Sequence, residues 1–331
     1  MSSWLNDDTV LLDSSCPLPL DLPFTPTMAA TLGVSHSQLR RLLARGLVRR
    51  VCRGAYAVSQ APDDLDLRAR ALSLVVSPSA VVTDRTAAWL HGVDILPRSA
   101  LTVPPPISVF QRPGTRSRRD GVTSGERMLL PRDIVEVGGL AVTSPLRTAL
   151  DLGRLLWRYD ALGVLDQFCR RGVAADELEA EVERFKGMRG VVQLRFLVPL
   201  ADPRAESLAE GALRLHWLDA GLPKPELQWW VYDEHGVALF RLDLALPEVL
   251  FAAEYDGAEF HSSDRDRAYD LGRRTWLADC RCWLIEVFVK DDLYRLHADP
   301  ARRLQAGLLE ARATLASRTS YPTVRPAPRR R

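Results

Sequence analysis

The sequence predicts a mixed α+β protein built from unlike parts, and three patterns predict it. A helix, a turn, a second helix and two short strands follow one another between residues 25 and 62. Helical and strand signals alternate over residues 63–202, and a helix–strand–strand–strand–helix–strand order follows over residues 203–316. We expect residues 1–24 to be a loosely ordered leader and residues 317–331 to be a disordered tail rich in proline and arginine.

Composition places the chain among ordinary soluble proteins. Hydrophobic residues make up 47% and charged residues 26% of the sequence, and the net charge is +2. No apolar run is long enough to span a bilayer, and the acidic N-terminus lacks the pattern of a secretory signal. Five cysteines without framework spacing argue against disulfides. We therefore expect a cytoplasmic protein that does not contact a membrane.

The N-terminal pattern is typical of a winged helix-turn-helix. Ser35 and Gln38 have the spacing of a capping box, which predicts a helix from His36 to about Arg45. Gly46 ends that helix. Two short strands follow, Leu47–Val51 and Ala55–Val58. In this arrangement the second helix enters the major groove of double-stranded DNA and the hairpin forms the wing.

Positive charge is concentrated in this region. Between Thr31 and Tyr56 there are six arginines and no acidic residue, which is the pattern of a phosphate-binding surface. The helix would present its polar residues to the major groove, and the wing arginines would contact phosphates. The candidate DNA contacts are Ser37, Arg40, Arg41, Arg45, Arg49, Arg50 and Arg53. The alternative is a small helical subdomain whose arginines are solvated.

The segment MAATLGVSHSQLRRLLARGLVRRVCRGAYAV resembles the N-terminal winged-helix domain of the AbiEi family of antitoxins. The similarity continues through DRTAAWLHG at Asp84–Gly92 and TSPLRTALDL at Thr143–Leu152. The resemblance implies a protein that represses its own operon by binding double-stranded DNA and that counters a nucleotidyltransferase toxin. A homodimer is compatible with this role.

Carboxylates interrupt two apolar strands in the C-terminal third of the chain. The strands are Phe240–Leu246 and Val249–Asp256, with a turn between them. Because side chains alternate along a strand, Glu254 and Asp256 share one face, and Asp243 lies nearly opposite Glu254. Carboxylates in an apolar sheet need a positive partner, and Mg²⁺ or Mn²⁺ is the simplest candidate.

The sequence LDLALPEVLFAAEYDGAEFH, followed by Asp270-Leu-Gly-Arg273, resembles the Vsr-like branch of the PD-(D/E)XK nucleases, which have a three-layer α/β restriction-endonuclease-like fold. The resemblance implies a Mg²⁺-dependent endonuclease site that hydrolyses DNA phosphodiesters. Asp243 would be the central metal ligand, and Glu254 and Asp256 would hold metal or orient water. His261 would be the general base, and Glu210 would add an acid from the preceding helix.

The sequence departs from that nuclease pattern at two positions. Asp256 stands where the motif has a lysine, so His261 or the more distant Lys290 would have to substitute for it. Glu286 stands where relatives tend to have arginine. These departures leave open a regulator whose nuclease fold is catalytically inactive.

Two further alternatives remain at this point. Both halves of the chain could recognise a partner toxin rather than cut DNA. In a purely structural interpretation, Glu254 and Asp256 are surface acids on an edge strand, paired with Arg241 or Arg273.

Overall fold

A computed structural model describes residues 4–5, 9–95, 106–111, 122–123, 127–257 and 264–319. The chain divides into two compact units, Met1–Leu152 and Gly153–Arg331. Helices and three sheets are present, which confirms the predicted mixed class. Across the described ranges, no helix is both long and apolar enough to cross a membrane.

The first unit begins with the expected helix–turn–helix and hairpin. Its elements are α1 (Pro26–Thr31), α2 (His36–Ala44), β1 (Val48–Cys52) and β2 (Ala55–Val58). The capping box forms as predicted. The backbone amide of Gln38 donates to the Ser35 hydroxyl, and the backbone amide of Ser35 donates to the side-chain oxygen of Gln38. The strands of the hairpin are antiparallel, with Arg49 opposite Ala57.

The proline-rich segment before α1 is packed, so the expectation of a loosely ordered leader is wrong for the part of it that is described. Leu12, Cys16 and Leu18 are buried in the same apolar cluster as Leu39 of α2. The backbone of Leu12 exchanges two hydrogen bonds with the side chain of Gln60, at 3.1 and 2.6 Å. The segment packs because its apolar residues complete the small winged-helix core, which is too small to be closed by its helices alone.

The rest of the first unit is a five-stranded sheet with helices. In chain order the elements are α3 (Leu65–Ser73), β3 (Ala80–Val82), α4 (Asp84–Leu90), β4 (Ile107–Gln111), β5 (Val122–Thr123), β6 (Ile134–Val137), β7 (Leu140–Thr143) and α5 (Pro145–Leu155). The sheet order is β5-β4-β3-β7-β6. The strands β6 and β7 form an antiparallel hairpin around Gly138-Gly139, which is the turn that two glycines between short apolar runs predict.

A buried ion-pair network joins α4 to α5 in this unit. Arg147 donates to Asp133 at 2.9 Å and to Asp151 at 2.8 Å, and all three side chains are almost fully buried. Arg127 donates to the same Asp151 at 2.8 Å and to Asp84 at 2.9 Å. Because a charge is costly inside a protein unless it is paired, this network ties the helices together.

The two motifs that carry the antitoxin resemblance in the middle region meet at this point. His91, at the end of the first motif, donates from Nε2 to the carbonyl oxygen of Thr143 at 2.8 Å. Burial lowers the pKa of His91, so the imidazole is neutral at pH 7. The motifs therefore have a structural role, and His91 is a packing residue, as its position in the sequence indicates.

The second unit opens with helices that pack through small residues. They are α6 (Arg158–Arg170), α7 (Ala175–Glu181), α8 (Val191–Leu197) and α9 (Leu208–Asp219). A Cβ atom on Gly211 of α9 would lie 2.6 Å from the Cα atom of Gly163 in α6, so the helix backbones touch. Asp166 and Arg214, both buried, form an ion pair at 2.6 Å between these helices. Because α6 packs against α9, residues 153–202 lie in the same compact unit as the elements that follow them. The domain boundary after residue 202 stays a prediction.

A four-stranded sheet with helices on both faces completes this unit. The elements are β8 (Glu226–Tyr232), β9 (Ala238–Leu246), β10 (Phe251–Tyr255), α10 (Asp264–Arg281), β11 (Leu284–Phe288), α11 (Lys290–Tyr294) and α12 (Pro300–Thr319). The order is β11-β10-β9-β8, with β10 and β11 parallel. Ala252 packs with Leu277 of α10, whereas the adjacent Phe251 packs with Trp217 of α9 and Leu304 of α12.

The close contact of α6 and α9 gives a stability test. In the Gly211→Ala variant the new methyl group would lie 2.6 Å from Gly163 and 2.7 Å from the Asp166 carboxylate. We expect the free energy of unfolding to fall by about 1–3 kcal/mol. Gly272→Ala is the matched control, because Gly272 is also helical and its Cβ would meet nothing within 4 Å. In urea denaturation, Gly272→Ala should leave the free energy of unfolding unchanged or raise it. Equal effects of the two variants would contradict the packing described.

Candidate functional site

The exposed face of α2 carries polar and basic side chains. Leu39 and Leu42 are buried and anchor the helix to the core of the first unit. Ser37, Arg40 and Arg41 are exposed on the side away from that core. Helical spacing therefore leaves one face for packing and one for a ligand. The charge and the polar groups on this outer face suit nucleic acid phosphates and base edges.

The β1–β2 hairpin adds two more exposed arginines, Arg50 and Arg53. The Arg50 guanidinium lies over the ring of Tyr56, with 5.5 Å to the ring centroid. Such a cation–π contact orients the side chain while leaving its charge accessible. The hairpin therefore carries the wing charge that the sequence predicts.

Two of the predicted DNA contacts, Arg45 and Arg49, bind neighbouring segments of the chain. Arg45 donates to the carbonyl oxygen of Thr9 at 2.6 Å, which ties α2 to the N-terminal segment. Arg49 donates to the carbonyl oxygen of Ala61 at 3.0 Å and lies 3.9 Å from a carboxylate oxygen of Asp63. These side chains hold the winged helix to its neighbours, so fewer than six arginines remain as candidate DNA contacts.

The predicted carboxylates of the second unit come together at the centre of its sheet. A short 3₁₀ turn at Pro247–Val249 connects β9 to β10, and Leu244 pairs with Ala253. Continuing this register by one residue places Asp243 opposite Glu254, as predicted. The backbone amide of Tyr255 donates to Asp243 Oδ2 at 2.9 Å.

Two consecutive arginines of α10 neutralise these acids. Arg273 donates to both oxygens of Glu254, at 3.0 and 2.7 Å, in a bidentate pair. Arg274 bridges two acids, because its Nε donates to Glu254 at 3.2 Å and its Nη2 donates to Asp256 at 3.0 Å. A guanidinium group therefore lies against each carboxylate on this face of β10.

The purely structural alternative is correct in one respect and wrong in another. Glu254 does pair with Arg273, but it is only 3% exposed and β10 lies between β9 and β11. It is therefore a buried acid of an interior strand and not a surface acid of an edge strand. Arg241 pairs instead with Glu206.

Glu210 of α9 lies close enough to Asp243 to affect its ionisation. Glu210 accepts hydrogen bonds from the Glu206 amide at 2.8 Å and from the Gln228 side chain at 2.7 Å. Burial raises the pKa of Glu210. Burial and the neighbouring charge of Glu210 raise the pKa of Asp243 to about 7. We call Asp243, Glu254, Asp256 and Glu210 the acidic cluster.

The acidic cluster, as placed, does not fit a divalent cation. Both oxygens of Glu254 and one oxygen of Asp256 already accept hydrogen bonds from guanidinium groups. Mg²⁺ needs free carboxylate oxygens in near-octahedral geometry. Within the described part of the chain, no group of three or more His, Cys, Asp or Glu is arranged to hold a metal. His261 lies outside the described residues, so its role as general base stays a prediction.

Sequence reasoning missed Arg274 and Gln228 as members of this site. A signal for Arg274 was present, since Arg273 and Arg274 stand one turn before Leu277, which packs on the sheet. Glu286, an unexpected acid in the nuclease pattern, is also neutralised by an arginine, with Arg303 of α12 at 2.9 Å.

Comparison with known protein families matches the chain in two places. Residues 23–59 match a family described as "Transcriptional regulator, AbiEi antitoxin". Residues 79–200 match the family "AbiEi antitoxin C-terminal domain". The first match covers the winged helix with its exposed arginines, and the second covers both motifs that meet at His91 and Thr143.

Two curated proteins from Mycobacterium tuberculosis are similar over most of this chain. "Uncharacterized protein MT2308" of strain CDC 1551 and "Uncharacterized protein Rv2248" of strain H37Rv are each 34% identical over 289 residues. The aligned region covers 84% of this chain and 99% of each relative. Because the alignment leaves only 16% of this chain uncovered, the similarity extends beyond residue 200 into the sheet that carries the acidic cluster.

The raised pKa of Asp243 predicts a pH-dependent stability. Between pH 4 and 7 the unfolded state has lost this proton while the folded state still holds it, so stability falls as pH rises through this range. The Asp243→Asn side chain does not titrate, so the variant should not show this fall in stability. The variant should match the wild type near pH 4 and exceed it by on the order of 2 kcal/mol at pH 8.

Urea denaturation between pH 4 and 8 measures this difference, and Glu248→Gln, an exposed acid in the β9–β10 turn, is the control. The control should follow the wild type within about 0.5 kcal/mol. A difference between Asp243→Asn and wild type that does not change with pH would contradict the assignment.

Proposed function

Since the chain belongs to the family of the two Mycobacterium tuberculosis proteins and carries both AbiEi antitoxin domains, we propose that it is a DNA-binding transcriptional regulator. The observation that carries the proposal is the exposed basic face of α2 beside a hairpin with two exposed arginines. This surface lies within the region matched to the regulator family. Its ligand would be double-stranded DNA of the operon that encodes the chain.

In this proposal α2 is the recognition helix. Ser37 and Arg41 contact base edges in the major groove, and Arg40 adds a phosphate contact. Arg50 and Arg53 contact the phosphates beside the groove. A toxin is the second partner in this proposal, because the second match is to an antitoxin domain. The nucleotidyltransferase class of that toxin rests on the family resemblance of the sequence alone.

The second unit, in the same proposal, is a nuclease-like fold without nuclease activity. The order of α9, β8, β9, β10, α10 and β11 supports a restriction-endonuclease-like arrangement. The arginine pairs on Glu254 and Asp256 favour an inactive site, because the oxygens that a metal would use are occupied. The Mg²⁺-dependent endonuclease stays the second candidate, supported by the position of Asp243 opposite Glu254.

DNA binding should depend on the outer face of α2. We expect Arg40→Ala/Arg41→Ala to weaken binding to the chain's own promoter fragment by on the order of tenfold or more. The slope of log affinity against log salt should become shallower by about 1, because Arg40 is the one phosphate contact that this variant loses. Fluorescence anisotropy over a salt series measures both quantities.

The matched control is Arg70→Ala/Arg132→Ala, which removes the same charge from exposed positions outside the winged helix. Its affinity and salt slope should remain close to those of the wild type. If the two double variants bind DNA equally well, the recognition surface is elsewhere.

The two candidate functions of the second unit differ in a cleavage assay. We expect purified protein with Mg²⁺ or Mn²⁺ to leave plasmid and linear DNA intact, so that wild type and Asp243→Asn are indistinguishable. Metal-dependent nicking by the wild type that is lost in Asp243→Asn would instead establish the endonuclease.

A further inference from the structure

We propose that Arg273 and Arg274 take the place of a divalent cation in the acidic cluster, so that the chain neutralises these acids itself and binds neither Mg²⁺ nor Mn²⁺ there. This replacement of a cation by arginine does not depend on DNA binding. The side chains around β9 and β10 are described apart from those in residues 258–270.

The first step is the occupancy of the carboxylate oxygens. The planar guanidinium of Arg273 covers the edge of Glu254 with two donors, at 3.0 and 2.7 Å. Arg274 then spans from Glu254 to Asp256, with donors at 3.2 and 3.0 Å. The Arg274 guanidinium thus bridges two acids, one in β10 and one in the residue that follows it, as a metal ion would otherwise do.

The second step is the rigidity of the arginines. Leu277 of α10 is fully buried with Ala245 and Ala252, and Trp276 packs against Phe240 with 5.6 Å between ring centroids. These contacts fix the helix that carries Arg273 and Arg274. The arginine side chains are themselves only 15% and 22% exposed. Their charge is permanent, because guanidinium does not lose its proton in proteins.

The third step is the charge balance. Two guanidinium groups balance Glu254 and Asp256, and the other two acids of the cluster are Asp243 and Glu210. A metal would have to displace two partly buried guanidinium groups and leave them without their carboxylate partners, which is costly.

The experiment uses the full chain and Mn²⁺ as the probe, because free Mn²⁺ has a quantifiable electron paramagnetic resonance signal. We expect wild type to bind no Mn²⁺ at millimolar concentration and to show the same melting temperature in EDTA and in Mg²⁺. Arg273→Gln/Arg274→Gln removes the resident charges and should gain Mn²⁺ binding. Adding Glu254→Gln to that variant should abolish the gain.

The control is Arg302→Gln/Arg312→Gln, which changes the net charge equally at exposed positions of α12 and should gain no binding. Circular dichroism establishes that each variant is folded. If the double variant of α10 does not fold, Arg274→Gln alone frees Asp256 and is measured in its place with the same expected gain.

Two results would overturn the proposal. One is Mn²⁺ binding or metal-dependent stabilisation of the wild type that Glu254→Gln removes. The other is the absence of binding in wild type and arginine variants alike, which would mean that the acids do not form a cation site even when freed.

Discussion

Buried ionised carboxylates need a counter-charge, and arginine supplies it at three places in the described part of this protein. Leaving an ionised group in the interior without a partner costs far more than a lost surface contact. The first unit meets this constraint with Arg147 between Asp133 and Asp151. The second unit meets it with Arg214 on Asp166 and again with Arg273 on its acidic cluster. The pairs of Arg147 with Asp133, Arg214 with Asp166 and Arg273 with Glu254 each join elements that are separate in the chain, so the packing of both units depends on them.

The same residue type therefore has two roles, and the count of basic residues alone does not separate them. Only three of the 44 basic residues are lysines. In the winged helix, Arg40 and Arg41 face solvent, whereas Arg45 and Arg49 hold neighbouring segments. The DNA-binding surface that we propose is therefore limited in size, and its position agrees with the match to the regulator family. In the second unit, by contrast, arginines occupy the oxygens that a nuclease would give to its metal.

Local features of the fold could be predicted from the sequence because their causes are local. The capping box of Ser35, the β6–β7 hairpin and the position of Asp243 opposite Glu254 depend on hydrogen bonds or side-chain alternation within a few residues. Contacts between distant residues could not be predicted in this way. Leu12 packs under the winged helix, and Gly163 meets Gly211 of a helix that begins far along the chain.

The acidic cluster falls between these cases. Its acids were predictable from strand alternation, but their partners were not, because Arg274 lies 18 residues from Asp256 on a helix whose rotation the sequence leaves open. A hard cation and a guanidinium group satisfy the same charge requirement. The choice between them depends on whether α10 presents its arginines to the sheet, which Leu277 and its packing determine.

The most direct test of this account is a double-mutant cycle on Glu254 and Arg273, measured by urea denaturation. The account predicts that Glu254→Gln and Arg273→Gln each lower the free energy of unfolding by about 3 kcal/mol, since each breaks a buried bidentate ion pair. Arg274 still donates to Glu254 when Arg273 is replaced, but with a single hydrogen bond. The double variant should lose less than the sum of the two, with a coupling of at least about 1 kcal/mol that is the same in EDTA and in Mg²⁺. Additive losses, or a coupling that appears only when Mg²⁺ is chelated, would contradict the claim that arginine is the resident counter-charge.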